Sequence, residues 1–376
     1  MRHPLRLHAF LAVVLAVPGT LRAQATDREV SGDCAPYLSK LVQYEAFVQG
    51  EMQRLRIPGL TVGFFKDDCT WVAAFGFADL ENKTPASVRS AYRYASVQKS
   101  MTALAVLQLA DRGKIDLDAE IQRYVPYFPR KPWPVTVRQL LGHLGGIPHY
   151  VNRDVEQHIT VHKTTREAVA IFEGFDLVAE PGTRYSYSSY GYNLLGAAIE
   201  GASGMSYGDY MRANVWGPLG MSSVRLDDPV ALIPNRVRGY RLQNSTVVNA
   251  EFIDVSSRFA AGGTRGNVPD LLRFVRGVQQ TRGVTGRSLD LMYTPMTTRA
   301  GQAVPYSAGW QIPPVRNRGR LVVNDGGQQE TRTFILNAPE QHFGLAFAMN
   351  LEADVYGPLI LRLYELVLGQ RLEFER

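Results

Sequence analysis

The chain has 376 residues, 45% of them hydrophobic, which is enough to bury the core of one large globular domain. Basic residues outnumber acidic ones by 41 to 35, but no basic tract is interleaved with aromatic residues, so nucleic acid is not an expected partner. Two cysteines, Cys34 and Cys69, are too few for a metal site. They either form a disulfide in an oxidising compartment or remain two separate thiols.

The first 25 residues have the pattern of an export signal. Arg2 and Arg6 form a basic end, residues 9–17 form a short apolar run, and residues 23–25 (Ala-Gln-Ala) have the small-x-small form of a cleavage site. An apolar run of this length is too short to span a bilayer. We therefore expect an exported protein, periplasmic or secreted, whose mature domain covers residues 26–376 and has no stable membrane span.

Patterns at the two chain ends predict one antiparallel sheet with flanking helices. Apolar residues at helical spacing predict helices, and short apolar runs bounded by turn residues predict strands. In order, the patterns are a helix over 37–56, strands over 60–65 and 71–77, strands over 321–324, 331–336 and 343–350, and a helix over 354–368.

Between these ends, helical patterns and long loops with glycine and proline dominate from residue 96 to about 274. We therefore predict an α+β fold, with an antiparallel five-stranded sheet built from both chain ends, flanked by helices, and an inserted helical lobe. The sheet lobe covers about 37–95 and 300–376, and the helical lobe covers about 96–299. Residue 96 then lies at the junction of the lobes, where pockets commonly form.

Residues 96–113 predict a buried helix that carries chemistry in its first turn. Ser96 and Lys99 are three residues apart, so the amine reaches the hydroxyl on one helix face. A lysine in an apolar setting loses its proton readily and serves as the base for such a nucleophile. The alternative is that Ser96 only caps the helix, although a capping box places Glu or Gln at position 99 and a cation there opposes the helix dipole.

A hydroxyl-rich loop over 181–192 leads into a predicted helix over 193–200. A tyrosine oxygen beside a lysine ammonium has its anionic form favoured, so it can relay a proton from the serine to a leaving group. The alternative is a loop of surface tyrosines. His158 and His162 are four residues apart, but the β-branched residues between them and the missing glutamate argue against a zinc helix. No metal and no cofactor is expected.

Six motifs occur in an order that resembles the serine β-lactamase-related superfamily, close to class C β-lactamases, D-alanyl-D-alanine carboxypeptidases and related esterases. The resemblance covers about residues 37–370 and implies a β-lactamase/transpeptidase-like fold. The motifs are Ser96-Val-Gln-Lys99, Leu140-Leu-Gly-His143-Leu-Gly-Gly146-Ile, Pro181-Gly-Thr with Tyr187-Ser-Ser189, Pro218-Leu-Gly-Met221, Ala261-Gly-Gly263 and Asn324-Asp-Gly-Gly327.

The resemblance implies a role for each matching position. Ser96 is the expected nucleophile of an acyl-enzyme, Lys99 helps to deprotonate it, and Tyr187 is the general acid/base on the leaving-group side. The division of labour between Lys99 and Tyr187 stays open, since the acylation base is disputed in relatives. The backbone N–H groups of Ser96 and Gly327 form the expected oxyanion hole. Further expectations are Ser189, Asn324, Asp325 and Gly326 as substrate-binding residues, His143 as a structural residue that bonds a loop, and Tyr150, Tyr306 and Trp310 either lining the pocket or packing.

Three positions depart from the family pattern. Ser189 stands where relatives have Asn, and Asn324 where they have Lys or His. Glu330 stands where they often have Gly, and we expect it to add a negative charge near the site. An amide brings no positive charge, so anionic substrates such as penicillins are held less tightly. The sequence therefore favours an esterase or peptidase-like hydrolase acting on a small molecule or peptide. The alternatives are a true class C-like β-lactamase or D-alanyl-D-alanine carboxypeptidase, and a catalytically weakened binding or scaffold protein.

Overall fold

The structure, a computed structural model, describes residues 25–150, 159–316 and 319–373. The export-signal pattern and His158 lie outside the described residues. Within these ranges the α-helices are α1 (Leu38–Leu55), α2 (Gln98–Asp111), α3 (Val137–Leu141), α4 (Thr165–Ala170), α5 (Ser189–Ser203), α6 (Tyr207–Met211), α7 (Phe259–Gly262), α8 (Val268–Gln279), α9 (Gly286–Tyr293) and α10 (Gly357–Leu368).

The strands of the described residues form one large antiparallel sheet and two small sheets. The large sheet has the order β1-β3-β2-β12-β11-β10, with β4 paired to β3, and the small ones are β5-β9-β6 and β7-β8. The strands are β1 (Asp27–Ser31), β2 (Gly59–Lys66), β3 (Cys69–Asp79), β4 (Thr84–Pro85), β5 (Tyr92–Arg93), β6 (Arg225–Leu226), β7 (Tyr240–Gln243), β8 (Thr246–Asn249), β9 (Thr264–Gly266), β10 (Val322–Gln328), β11 (Thr331–Ala338) and β12 (Phe343–Met349).

The predicted five-stranded sheet is confirmed as the path β3-β2-β12-β11-β10, built from both chain ends. Two strands that the sequence did not indicate extend it. The first, β1, reads Asp-Arg-Glu-Val-Ser and is largely exposed, so it has no apolar alternation to reveal it. Its pairing with β3 comes from backbone hydrogen bonds, which need no side-chain pattern. The sheet and helical lobe boundaries remain a prediction.

Each face of the large sheet is covered by its own hydrophobic core. Neighbouring residues of a strand face opposite sides, so Phe64 joins the core under α1 and α10 while Phe65 joins the core that includes α2, α5 and α8. Both phenylalanines are buried. Because apolar residues occupy both faces, β2 reads as a continuous apolar run. The second core carries α2 against the sheet and so positions residue 96 beside the edge strand β10.

Cys34 and Cys69 form a disulfide with their Cα atoms 4.9 Å apart. The bond joins the segment before α1 to the first residue of β3. This decides between the two alternatives that the sequence left open. In the part of the chain that the structure describes, no helix is both long and apolar enough to cross a membrane.

A buried cluster of charges ties the small sheet β5-β9-β6 to the turn between β10 and β11. It consists of Arg93, Asp227, Arg265 and Glu330, and we call it the arginine cluster. The Asp227 carboxylate accepts from Arg93 Nε at 2.5 Å and from Arg265 Nε at 2.8 Å, and Arg265 also donates to Glu330 at 2.7 Å. The expectation that Glu330 adds a negative charge near the site is therefore wrong, because arginines neutralise its carboxylate.

Candidate active site

Ser96 lies in a short 3-10 turn, Ala95–Val97, that directly precedes α2. Ala95 has φ +46°, in the left-handed region that a residue with a side chain adopts at a cost of about 1–2 kcal/mol. The surrounding sheet holds this turn, since Tyr94 N–H donates to Thr264 and the Thr333 hydroxyl donates to the Tyr94 carbonyl at 2.7 Å. The strained turn places Ser96 at the wall of a cavity while Lys99 stays fully buried.

Two side chains, one a helical turn away and one from a distant loop, contact the Ser96 hydroxyl. Lys99 Nζ and the Tyr187 hydroxyl each lie 2.9 Å from Ser96 Oγ. Lys99 Nζ also donates to the Ala261 carbonyl at 2.8 Å, from α7. Ser96 is therefore bonded in this structure to both of the side chains that the sequence predicted to act with it. A hydroxyl between an amine and a phenol is the arrangement that an activated nucleophile requires.

The pKa values of the two partners of Ser96, Lys99 and Tyr187, are shifted in opposite directions. Burial lowers the pKa of Lys99 to about 7; the Asp325 carboxylate opposes this shift and the Arg258 guanidinium adds to it. Burial raises the pKa of the Tyr187 phenol well above its usual range, although its bond with Ser96 acts in the opposite direction. The expectation that a lysine ammonium favours the phenolate stays a prediction, because a pKa of about 7 leaves Lys99 only partly protonated near pH 7. At that pH part of the Lys99 population is the neutral amine, and Tyr187 keeps its proton.

His143 holds the loop that carries Tyr187. Its Nδ1 accepts from the Ser188 N–H at 3.0 Å and its carbonyl accepts from the Ser186 N–H at 2.9 Å. The His143 ring packs 4.4 Å from the Tyr187 ring, centroid to centroid. Burial lowers the pKa of His143, so the imidazole stays neutral and can accept. The geometry agrees with the loop-bonding role expected from the resemblance.

The edge strand β10 presents backbone donors to the same cavity. Val323 exchanges hydrogen bonds of 3.1 and 2.8 Å with Gln311 on the side of β10 that faces away from β11. Backbone groups two residues apart in a strand point the same way, and the pairing of β10 with β11 runs without a register shift. The N–H of Gly327, four residues after Val323, therefore points to that open side. Gly327 lines the cavity with Ser96.

Gly326 lets the strand approach the serine turn closely. A Cβ at this position would lie 2.5 Å from the Tyr94 carbonyl oxygen and 3.0 Å from the Ser96 nitrogen. No side chain fits there, so Gly326 binds no substrate through a side chain. The absence of a side chain at Gly326 lets β10 lie close to the Tyr94 carbonyl and to the backbone nitrogen of Ser96.

Asn324 does not face the cavity, and its predicted contact with substrate is wrong. Its side chain is buried, and Nδ2 donates to the Ser100 hydroxyl at 2.8 Å and to the Gly309 carbonyl at 3.0 Å. Successive residues of a strand face opposite sides of the sheet. Asn324 and Gly326 lie on the face of β10 that packs against α2, whereas Asp325 and Gly327 lie on the other face. Asp325 and Ser189 do line the cavity, as predicted substrate-binding residues should.

The cavity beside Ser96 has a volume of about 370 Å³ and shares a wall with a second cavity of about 470 Å³. Tyr150 lines both, whereas Tyr306 and Trp310 are fully buried and only pack. Sequence reasoning missed most of the remaining wall, since its residues come from loops and strands with no common spacing. The missed residues are His149, Arg258, Gln311, Gln328, Arg332 and Asp354.

Metal-ligand clusters are not part of the described site. Among residues 25–150, 159–316 and 319–373, no group of three or more His, Cys, Asp or Glu side chains is placed to hold an ion. His162 lies 4.0 Å from the buried Asp254 carboxylate.

The family whose sequence model matches is the beta-lactamase family, over residues 44–367. Penicillin-binding protein 4* of Bacillus subtilis (strain 168) is 27% identical over 318 residues, which cover 80% of this chain and 70% of that protein. The human mitochondrial serine beta-lactamase-like protein LACTB is 30% identical over 288 residues, but the match covers only 58% of this chain and 52% of LACTB.

A solved structure shares both the fold and part of the sequence. The octameric penicillin-binding protein homologue from Pyrococcus abyssi superimposes with a TM-score of 0.76 at 27% identity, over 88% of this chain and 78% of that one. The likeness therefore extends over nearly all of the described residues.

Proposed function

Because this chain belongs to the beta-lactamase family, we propose that it is a serine hydrolase that cleaves an ester or amide through an acyl-enzyme. The observation that carries the proposal is the position of Ser96 Oγ, 2.9 Å from both Lys99 Nζ and the Tyr187 hydroxyl. A lysine with a pKa of about 7 is a competent base at neutral pH. The intact trio is what separates a hydrolase from a weakened scaffold protein.

In acylation, neutral Lys99 takes the Ser96 proton while Oγ forms a bond to the substrate carbonyl carbon. The carbonyl electron pair moves to the oxygen, which accepts hydrogen bonds from the backbone N–H groups of Ser96 and Gly327. As this intermediate collapses, the bond to the leaving group breaks and that group takes a proton from Tyr187. The Lys99 ammonium returns a proton to the phenolate, so both partners regain their starting forms.

In deacylation, a water molecule replaces the alcohol or amine that has left. Neutral Lys99 accepts a proton from this water while the water oxygen bonds to the acyl carbon, and the bond to Ser96 Oγ then breaks. The proton returns to Ser96, and the product is a carboxylic acid. The reaction consumes one water and requires no cofactor.

The polarity of the cavity supports a less anionic substrate than a penicillin. The Asn324 amide is engaged inside the fold, and the Asp325 carboxylate lines the wall beside Ser96. Asp325 would repel a substrate carboxylate placed next to it, whereas Arg258 and Arg332, which line the same cavity, would attract one placed beside them. We therefore propose an esterase or peptidase-like activity, with a β-lactamase or D-alanyl-D-alanine carboxypeptidase as the competing assignment. A strong signal with nitrocefin would favour that competitor.

The test combines labelling with turnover. Purified protein should form a fluorophosphonate adduct at Ser96, mapped by mass spectrometry, and should hydrolyse a short-chain nitrophenyl ester. Ser96→Ala should lose the adduct and at least about 10⁴-fold of the turnover, because no other group replaces the nucleophile. Ser203→Ala, on the last turn of α5 and away from the cavity, is the matched control. Folded wild-type protein without an adduct at Ser96 would instead indicate a binding or scaffold protein.

Export is a second part of the proposal. The Cys34–Cys69 disulfide supports it, because disulfides persist in oxidising compartments and are rare in the cytosol. The mass of the protein recovered from a periplasmic or culture fraction tests the cleavage site after residue 25. Recovery of the uncleaved chain from the cytoplasm alone would contradict it.

A further inference from the structure

A carboxylate stands two residues before Gly327 on the same strand edge. Asp325 and Gly327 both line the cavity that contains Ser96 and Tyr187. Residues two apart in a strand are separated by about 6.6–6.8 Å, and an aspartate side chain shortens the gap to a bound ligand. Asp325 therefore reaches the region next to a carbonyl held by the Gly327 N–H.

The partner of Asp325 is a neutral amide. Gln311, which also lines the cavity, donates from Nε2 to the Asp325 carboxylate and fixes its direction. Among the described residues, no lysine, arginine or histidine forms an ion pair with Asp325, whereas Arg332, on the strand opposite Gly327, pairs with Asp354 at 3.3 Å. The cavity thus holds an oriented carboxylate near Ser96, and Arg258 and Arg332 line the same cavity.

We propose that Asp325 binds a positively charged amine of the substrate, located one or two carbon atoms from the scissile carbonyl. This rests on the proposed hydrolase function and names its substrate class, amino-acyl esters or amides with a free amine. An ammonium at that distance from the carbonyl carbon can form an ion pair with the Asp325 carboxylate while the carbonyl oxygen occupies the oxyanion hole. Gln311 is a positioning residue, because it acts through Asp325.

A competing explanation is that Asp325 only tunes Lys99, whose basicity its charge increases. The two explanations differ in selectivity. Tuning changes the rate for every substrate by the same factor, whereas recognition changes only the rate for substrates with a charged amine. The ratio of kcat/KM for a free-amine substrate to that for its N-acetyl derivative cancels any effect on Lys99.

The experiment measures that ratio with alanine methyl ester and N-acetylalanine methyl ester, in both enantiomers, at pH 7 with product quantified by chromatography. Wild type should prefer the free amine of one enantiomer by about 10- to 100-fold, the factor typical of a hydrogen bond between charged groups. Asp325→Asn should bring the ratio close to one. Asp209→Asn, which removes an exposed carboxylate that is paired with Arg212 and does not line the cavity, is the control and should keep the wild-type ratio.

Several results would overturn the amine site. They are a wild-type preference for the N-acetyl ester, a ratio near one, or a ratio unchanged in Asp325→Asn. Binding needs no turnover, so calorimetry of Ser96→Ala with alaninamide and N-acetylalaninamide tests the site separately. Equal affinities would overturn the site while leaving the hydrolase intact. A missing fluorophosphonate adduct, with selective binding of alaninamide, would overturn the hydrolase and support the site.

Discussion

The proposed catalytic cluster (Ser96, Lys99 and Tyr187) and the arginine cluster treat buried charge in opposite ways. In the catalytic cluster, Lys99 contacts a hydroxyl and a carbonyl, and no carboxylate among the described residues is bonded to it. In the arginine cluster, Asp227 is bonded by both Arg93 and Arg265. Burial lowers the pKa of Lys99 to about 7. Burial alone would raise the pKa of Asp227, but Arg265 and Arg93 outweigh it and hold that pKa well below its usual range.

The comparison shows that the presence of an oppositely charged neighbour, more than burial itself, decides whether a buried ionisable group keeps its charge. A buried amine bonded only to neutral groups loses its proton easily and becomes a base. A buried carboxylate between two guanidinium groups keeps its charge and joins elements of the fold. The first arrangement is available for chemistry, and the second is available only for structure.

Among the variants that compare the two clusters, the largest effect is expected from Lys99→Met, which keeps the length of the side chain and removes the amine. We expect kcat/KM to fall by about 10²–10⁴-fold, the range for loss of a general base. Stability should not fall with it. Between pH 7 and about 10 the unfolded chain holds the lysine proton and the folded protein does not, so wild-type stability rises with pH by at most about 1.4 kcal/mol per unit.

Denaturant unfolding at several pH values checks this prediction. Lys99→Met should lack the rise seen in the wild type between pH 7 and 10. A parallel pH dependence in both proteins would show that Lys99 is not the buried neutral amine described above.

The next effect is on stability. Asp227→Asn leaves two buried arginines with less compensating charge, so we expect the free energy of unfolding to fall by about 3–5 kcal/mol. Activity per folded molecule should be retained. The matched control is Asp209→Asn, which breaks an exposed pair with Arg212 and should cost less than about 1 kcal/mol. Equal losses in the two variants would remove the distinction between the clusters.

A smaller effect is expected where the catalytic cluster depends on close backbone contact. Gly326→Ala would place a Cβ against the Tyr94 carbonyl and the Ser96 nitrogen, and we expect a loss of about 1–3 kcal/mol in stability with a drop in kcat. Gly327→Ala is the control, since its Cβ would meet only the side chain of Arg332, at 3.0 Å, which can move. Thermal unfolding and ester turnover of both variants measure the contrast, and the reverse order of effects would contradict it.

The smallest effect is on the pH profile. Because the base form of Lys99 is required, kcat/KM should rise with pH through about 7 and then level off. Asp325 raises the pKa of Lys99, so Asp325→Asn should move this rise to lower pH by less than about one unit. An N-acetyl ester is the substrate for this measurement, since it lacks the amine. A shift to higher pH would contradict the assigned electrostatics.

The sequence predicted the parts of the site that depend on local order. Ser96 and Lys99 are one helical turn apart, and Tyr187 belongs to a motif with its own spacing, so the resemblance located all three. It misjudged Asn324, because the face of the strand on which a residue lies depends on how β10 packs against α2. Glu330 was also misjudged, since its arginine partners, Arg93 and Arg265, lie more than sixty positions away in the chain.

The sequence by itself determined the central antiparallel sheet, the helix that carries the nucleophile and the set of chemically active side chains, because periodicity and short motifs act over a few residues. Only the tertiary structure decided the charge state of Lys99, the side of β10 that faces the cavity, the Cys34–Cys69 disulfide and the pairing of the arginine cluster. Each of these depends on which residues, distant in the sequence, lie beside a given atom, where they exclude water or place a charge. Such information exists only once the chain has folded.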